Sequence, residues 1–131
     1  MTKVLCLGWF DASAETHRSF IEDAKKRGDY LAAVVFHDEM NYEGQGRKPI
    51  NRQYQRAMSL EKLRLIDDIF IVSRDFNDNL KQIREIKPDV IVFGADQNSE
   101  LRGTLESYLD SCGVHPKYYV SQEFADGIRI V

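Results

Sequence analysis

The sequence lacks the features that place a chain in a membrane or in an oxidising compartment. No apolar run approaches the roughly 20 residues that a bilayer-spanning helix needs. The opening stretch, residues 1–10, is too short in its apolar part for a secretory signal and has no small-residue cleavage site. Only 2 cysteines occur, and Cys6 and Cys112 lack the spacing of a zinc site or a C-x-x-C pair. These absences predict a cytoplasmic protein with reduced thiols and no membrane partner.

An excess of positive charge is also missing. Lys and Arg number 18 against 21 Asp and Glu, which gives a net charge of −3. Such a balance provides no broad basic face for a polyanion, so we expect no nucleic-acid partner. With 8 glycines, 3 prolines and 43% hydrophobic residues, the composition is that of an ordinary globular protein. At this length we predict one domain over residues 1–131.

What is present is a regular alternation of strand-like and helix-like segments. The candidate strands are residues 3–8, 30–36, 68–73, 89–94 and 117–122. Helical periodicity covers the segments between them, at 13–28, 52–66, 77–87 and 98–113. The first, second and fourth strands are almost continuously apolar, as strands buried on both faces of a parallel sheet are.

This alternation predicts an α/β fold: a Rossmann-like three-layer sandwich of about five parallel strands with helices on both faces. In such sheets ligands bind beyond the carboxyl ends of the strands, where the strand order reverses. The segments that follow the first, second and fourth strands, at 8–17, 37–56 and 94–98, are therefore the candidate site. The second of them contains an extended loop, 41–51, that is rich in glycine and cations.

Several short motifs at these places resemble one known family. The turn "GWFDASAETH" (8–17) resembles the G-x-F-D-x-x-H-x-G-H signature of the cytidylyltransferase-like nucleotidyltransferases, among which the small glycerol-3-phosphate cytidylyltransferases are similar in length and element order. The second strand "GDYLAAVVFHDEMN", the loop "GRKPIN" followed by "QR", and the strands "LIDDIFIV" and "KPDVIVFGADQ" also resemble family segments. Together these fragments cover most of the chain.

The resemblance implies a function and a set of site residues. It implies transfer of a nucleoside monophosphate unit from CTP or ATP to a small phosphorylated alcohol, with pyrophosphate release. Mg²⁺ would accompany the nucleotide, and the chain would form a homodimer; no residue is assigned as a metal ligand. It gives His17 and Arg56 a catalytic role as charge stabilisers, which is the main lever in phosphoryl-type transfer. The residues implied in nucleotide binding are Gly8, Trp9, Phe10, Asp11, Arg47, Lys48 and Asp96.

The first turn departs from the family pattern at two positions. Ala14 stands where the family has its first histidine, and Thr16 stands where it has a glycine that leaves room for the nucleotide. Loss of one charge-stabilising donor typically costs about 10²–10³ in rate. His17 also lies on the apolar stripe of its helix, together with Phe20 and Ile21. It is therefore either a ligand-contacting residue or a structural core histidine.

Further departures leave two functions open. Residues 121–131, "SQEFADGIRIV", stand where the family has its R-T-x-G-I-S-T/S-T segment and a last helix. Asp96 could contact a nucleotide or cap the following helix, and the cations at 47, 48 and 56 could be solvated. The sequence thus permits an active, divergent nucleotidyltransferase, or a non-catalytic module of the same fold that binds a phosphorylated ligand or serves assembly.

Overall fold

A computed structural model describes residues 1–12, 14–39, 49–97 and 99–125. Strands and helices alternate along these ranges. Among the described residues no helix is both long and apolar enough to cross a membrane. The elements are β1 (Lys3–Gly8), α1 (Ala14–Lys25), β2 (Tyr30–Val35), α2 (Gln53–Glu61), β3 (Asp68–Ile71), α3 (Phe76–Ile86), β4 (Val90–Phe93), α4 (Ser99–Ser111) and β5 (Lys117–Val120).

The five strands form one parallel sheet in the order β3-β2-β1-β4-β5. The predicted α/β architecture is thereby confirmed. The central strand β1 pairs with β2 from Lys3 opposite Tyr30, and with β4 from Val4 opposite Val90. The three strands with continuous apolar sequence occupy the centre, whereas β3 and β5 lie at the edges and are partly exposed.

Alternate residues of the central strands bury against opposite helix layers. Val4 and Cys6 face the core that α1 and α2 cover, whereas Leu5 and Leu7 face the core beneath α3 and α4. The helices therefore lie on both faces, as predicted. Burial raises the pKa of the Cys6 thiol to about 12, and Cys6 and Cys112 are both free thiols.

One predicted helix is longer than the helix in the structure, because its apolar periodicity continues beyond the last helical hydrogen bond. The helix predicted over 52–66 ends at Glu61, and Arg64 adopts a left-handed conformation (φ 56°). Leu63 is nevertheless buried, so the apolar pattern continues through a segment that packs without being helical. Of the predicted loop 41–51, residues 41–48 lie outside the described residues.

Candidate functional site

The segments that follow β1, β2 and β4 meet at the carboxyl edge of the sheet. Gly8 is buried at the end of β1, and its carbonyl oxygen accepts a hydrogen bond from Phe36 N at 3.0 Å. This bond joins the ends of β1 and β2. On its other side β1 pairs with β4, so the strand order reverses between β1 and β4. Ligands of open parallel sheets bind at such a reversal.

The turn after β1 is built around Phe10. Its φ of 51° lies in the left-handed region that non-glycine residues rarely adopt, at a cost on the order of 1–3 kcal/mol. The ring is fully buried, with its centroid 5.5 Å from the ring of His17 and 6.1 Å from that of Phe20. Packing of this ring in the core offsets the backbone strain. The preceding Trp9 packs edge-on against Phe36 at 5.3 Å.

Asp11 ties this turn to the chain that enters α2. One carboxylate oxygen accepts from Asn51 N and Asn51 Nδ2, both at 2.9 Å, and the other accepts from Ile50 N at 2.6 Å. The residue is 6% exposed. The three donors fix the carboxylate against residues 50–51, an arrangement that we call the Asp11 latch. This predicted nucleotide-binding residue therefore lies at the carboxyl edge, with its carboxylate bonded to the protein's own chain.

Arg56 is the largest fully buried side chain at this edge. Its Nη1 donates to Trp9 O at 2.6 Å, and its Nη2 donates to Phe36 O at 2.8 Å. Nη2 also donates to Asp38 Oδ1 at 2.7 Å, and Nε donates to Asn51 O at 2.9 Å. The guanidinium thus spans the ends of β1 and β2 and the start of α2. Four of its five N–H donors are used inside the protein.

His17 is buried beneath the same turn, with no exposed area. Neither ring nitrogen makes a hydrogen bond of accepted geometry among the described residues, although the backbone carbonyls of Phe124 and Phe10 lie near the ring. Burial lowers the pKa of the imidazole below 6.5, and these two carbonyls and the carboxylates of Asp96 and Asp11 offset this only in part. The ring is consequently neutral near pH 7, with one N–H donor and one acceptor nitrogen.

Asp96 lies in the turn after β4 and holds the chain that leaves β5. Its Oδ1 accepts from Ala125 N at 2.8 Å, and Ala95 N donates to Glu123 O at 2.8 Å. We call residues 121–125 the closing segment. It packs across the end of β4, with the Ala125 side chain buried in the core that also contains Phe10.

Three residues that support this edge were not predicted from the sequence. Gln97 is buried; its Nε2 donates to Leu7 O at 2.6 Å and its Oε1 accepts from Gly94 N at 2.9 Å, which links β1 to β4. Asp38 and Asn51 are the partners of Arg56 and Asp11 described above. Asp38 and Gln97 follow apolar strands within a few residues, a pattern that many solvent-exposed turns share, and Asn51 lies two residues before α2 with no distinguishing pattern around it.

Other predicted positions differ in how far the structure describes them. Arg47 and Lys48 lie outside the described residues. Thr16 is exposed in the first turns of α1, and the neighbouring Glu15 pairs with Arg18 at 2.8 Å. The arginine lowers the pKa of the Glu15 carboxyl. The structure therefore brings Gly8–Asp11, His17, Arg56 and Asp96 to one edge.

Comparison with known proteins agrees with this arrangement. The model of the cytidylyltransferase-like family matches residues 5–128. FAD synthase from Pyrococcus abyssi is 38% identical over 112 residues, which cover 86% of this chain and 74% of the relative. FAD synthase from Ferroglobus placidus is 41% identical over 98 residues, which cover 75% of this chain and 62% of the relative.

Solved structures share the fold. The lipopolysaccharide core biosynthesis protein from Thermoplasma volcanium superposes with a TM-score of 0.80 at 27% identity, covering 95% of this chain and 98% of that one. Pantoate-beta-alanine ligase from Francisella tularensis, at 14% identity and a TM-score of 0.62, shares the fold alone; the match covers 98% of this chain and 60% of the ligase. The parallel sheet and the motifs along its carboxyl edge define a nucleotidyltransferase-like domain. The chain belongs to the cytidylyltransferase-like family.

Proposed function

We propose that this chain binds a nucleoside triphosphate at the carboxyl edge of its sheet and transfers the nucleoside monophosphate unit to a phosphate-bearing acceptor. An acceptor phosphate oxygen would form a bond to the α-phosphorus, the bond from that phosphorus to the bridging oxygen would break, and pyrophosphate would leave. The relatives named FAD synthase support ATP as donor and flavin mononucleotide as acceptor, because joining AMP to that acceptor gives FAD. CTP with another small phosphorylated alcohol is the variant to be tested beside it.

The observation that carries this proposal is the unpartnered imidazole of His17. A buried polar group without a hydrogen bond costs about 1–3 kcal/mol, and both ring nitrogens are in that condition within the described residues. A phosphate oxygen would accept from the ring N–H and remove this cost. The backbone N–H groups at the start of α1, a helix of 12 residues, would add further donors for an anion.

Arg56 and Asp11 would act on the ligand through the backbone that they hold. The bonds of Arg56 to Trp9 O and Phe36 O fix the turn that carries Phe10, and Asp11 fixes the chain that enters α2. We therefore propose both as positioning residues. Arg47, Lys48 and Asp96 stay predicted phosphate or nucleotide contacts.

Mg²⁺ would enter with the triphosphate. Within the described residues no group of three or more His, Cys, Asp or Glu side chains is placed to hold a metal ion. The carboxylate of Asp11 is engaged by three donors. The described residues therefore do not form a cage for the ion, and no step of the proposed chemistry is assigned to it here.

A second candidate function is nucleotide binding without turnover. It is favoured by Ala14 and Thr16 at the altered positions, and by a His17 whose pKa is lowered by burial. A neutral histidine cannot supply positive charge to a transition state in which negative charge spreads over phosphate oxygens. A module of this kind would retain the binding edge and lose the rate enhancement.

Titration calorimetry with Mg·ATP and Mg·CTP, followed by a pyrophosphate-release assay with flavin mononucleotide and other phosphorylated alcohols, tests both functions. His17→Asn should weaken triphosphate binding, whereas the control His115→Asn, at an exposed loop histidine, should not. Pyrophosphate release supports transfer, and binding without release supports the second candidate. Absence of binding for both nucleotides contradicts both. The expected homodimer remains a separate prediction, for sedimentation velocity.

A further inference from the structure

The closing segment is attached to the end of β4 by a series of backbone hydrogen bonds. Ser121 N donates to Phe93 O at 2.7 Å, and Ala95 N donates to Glu123 O at 2.8 Å. Beyond these, Ala125 N donates to Asp96 Oδ1 at 2.8 Å. The segment therefore runs beside the turn 94–97 rather than out into solvent, and it ends with Ala125 buried in the core.

Gly94 allows this close approach. A Cβ at position 94 would lie 2.5 Å from Ala125 N, 2.6 Å from Ala125 Cβ and 2.9 Å from Asp96 Oδ1, distances that real Cβ atoms do not tolerate. The neighbours are backbone and a short side chain, so neither can move aside alone. The backbone of Gly94 is not in the left-handed region. A methyl group there would consequently displace the closing segment and the Asp96 carboxylate that anchors it, and would leave the local backbone conformation unstrained.

The closing segment also covers His17. The Phe124 carbonyl lies against the imidazole ring, and Asp96, which anchors Ala125, is near enough to influence the same ring. The Phe10 ring lies edge-on to the imidazole, and the histidine has no exposed area. A phosphate can therefore reach the ring only if one of these neighbours moves. Phe10 contributes a large aromatic ring to the core, whereas the closing segment contributes the small side chain of Ala125 and is otherwise attached through the few bonds given above.

We propose that the closing segment is an autoinhibitory strap that occupies the approach to His17 in the free protein and separates from the end of β4 when a triphosphate binds. The inference rests on the proposed function, since it concerns access to the same histidine. If most molecules are in the closed form, the apparent dissociation constant equals that of the open form divided by the fraction of molecules that are open. Removing two or three hydrogen bonds of ordinary strength from the closed form should therefore tighten binding by about 10- to 100-fold.

Gly94→Ala tests the strap, and Gly103→Ala is the matched control because a Cβ at Gly103 has no neighbour within 4 Å. The titration of His17 is followed by NMR, and Mg·ATP binding by calorimetry. In Gly94→Ala the pKa of His17 should rise towards its ordinary value, and Mg·ATP should bind about 10- to 100-fold more tightly. Gly103→Ala should match the wild type in both.

The other outcomes distinguish failure of the strap from failure of the proposed function. A raised His17 pKa with unchanged Mg·ATP affinity refutes the strap as a gate and leaves the proposed function standing. Absence of binding for both Mg·ATP and Mg·CTP, in the wild type and in Gly94→Ala, refutes the proposed function, and the gate with it. An unchanged His17 pKa in a folded Gly94→Ala protein refutes the covering geometry.

Hydrogen exchange on the wild type provides a measurement that does not depend on the variant folding. The Ala125 and Ala95 amides, which are bonded to Asp96 and Glu123, should be protected in the free protein and should lose protection in saturating Mg·ATP. Retained protection with nucleotide bound overturns the proposal.

Discussion

Replacement of Arg56 by methionine gives the sharpest test of how the carboxyl edge is held together. Methionine keeps the long apolar stem and removes all of the N–H donors. Trp9 O and Phe36 O then remain as acceptors in buried surroundings, each at a cost of about 1–3 kcal/mol. Asp38 is 25% exposed at its side chain, so water can replace its lost bond in part.

These contributions sum to an expected loss of about 3–5 kcal/mol in the free energy of unfolding, the range typical when one partner of a buried charged network is removed. Arg56→Lys keeps the charge, but one ammonium cannot reach four acceptors that surround a planar fork. We expect it to recover only part of the loss. The Arg56 Cζ also lies 5.7 Å from the Trp9 ring centroid, so the methionine variant also loses a cation–π contact.

Urea unfolding monitored by far-UV circular dichroism measures these differences directly. Arg18→Met is the matched control, because Arg18 is a half-exposed arginine whose partner is the exposed Glu15, and such pairs contribute little. A loss below about 1 kcal/mol for Arg56→Met would refute the network. It would mean that water or other donors readily satisfy the two carbonyls.

Three further outcomes follow from the same structure. Because burial lowers the pKa of His17 below 6.5, the unfolded chain takes up a proton at a higher pH than the folded chain does. The free energy of unfolding should therefore be constant above pH 6.5 and decrease below it. In His17→Phe it should decrease less between pH 7.5 and 5.5, and equal slopes for the two proteins would contradict this. Asp11→Ala removes three accepted hydrogen bonds and should cost about 1–2 kcal/mol in urea unfolding, while an unchanged midpoint would show that the latch to Asn51 contributes nothing. Gly28→Ala places a Cβ 2.6 Å from Thr2 O and should lower the free energy of unfolding by about 1–3 kcal/mol. Gly103→Ala, on an open helix surface, should raise it by about 0.5–1 kcal/mol. Equal melting temperatures for the two variants would contradict this packing argument.

The bounds of the central strand β1 were predicted more accurately than those of the edge strand β5. The predicted first strand has the bounds of β1, Lys3–Gly8, because continuous apolar sequence needs burial on both faces. The edge strand predicted over 117–122 ends at Val120. Edge strands are half exposed, and their polar residues do not show where the hydrogen-bond ladder stops.

The site residues show a different limit. The helical stripe through His17, Phe20 and Ile21 indicated burial of the histidine, and all three are buried. The surroundings of Arg56 could not be predicted, because an isolated arginine is most often exposed. Three of its four acceptors come from residues 47, 20 and 18 positions away in the sequence. Only the folded chain brings those oxygen atoms together.

The central position of β1 has a consequence for how the chain is made. Of the five strands, β1 is synthesised before the others, yet its partner β4 pairs with it from Val90, 86 residues further along than Val4. The nascent chain can pair β1 with β2 early, but the other edge of β1 stays unpaired until β4 has been synthesised. During synthesis that edge is an apolar strand with unpaired backbone groups, the kind of surface on which chaperones act. The time needed to synthesise the chain from α1 to β4 therefore sets the shortest period for which that edge of β1 stays unpaired.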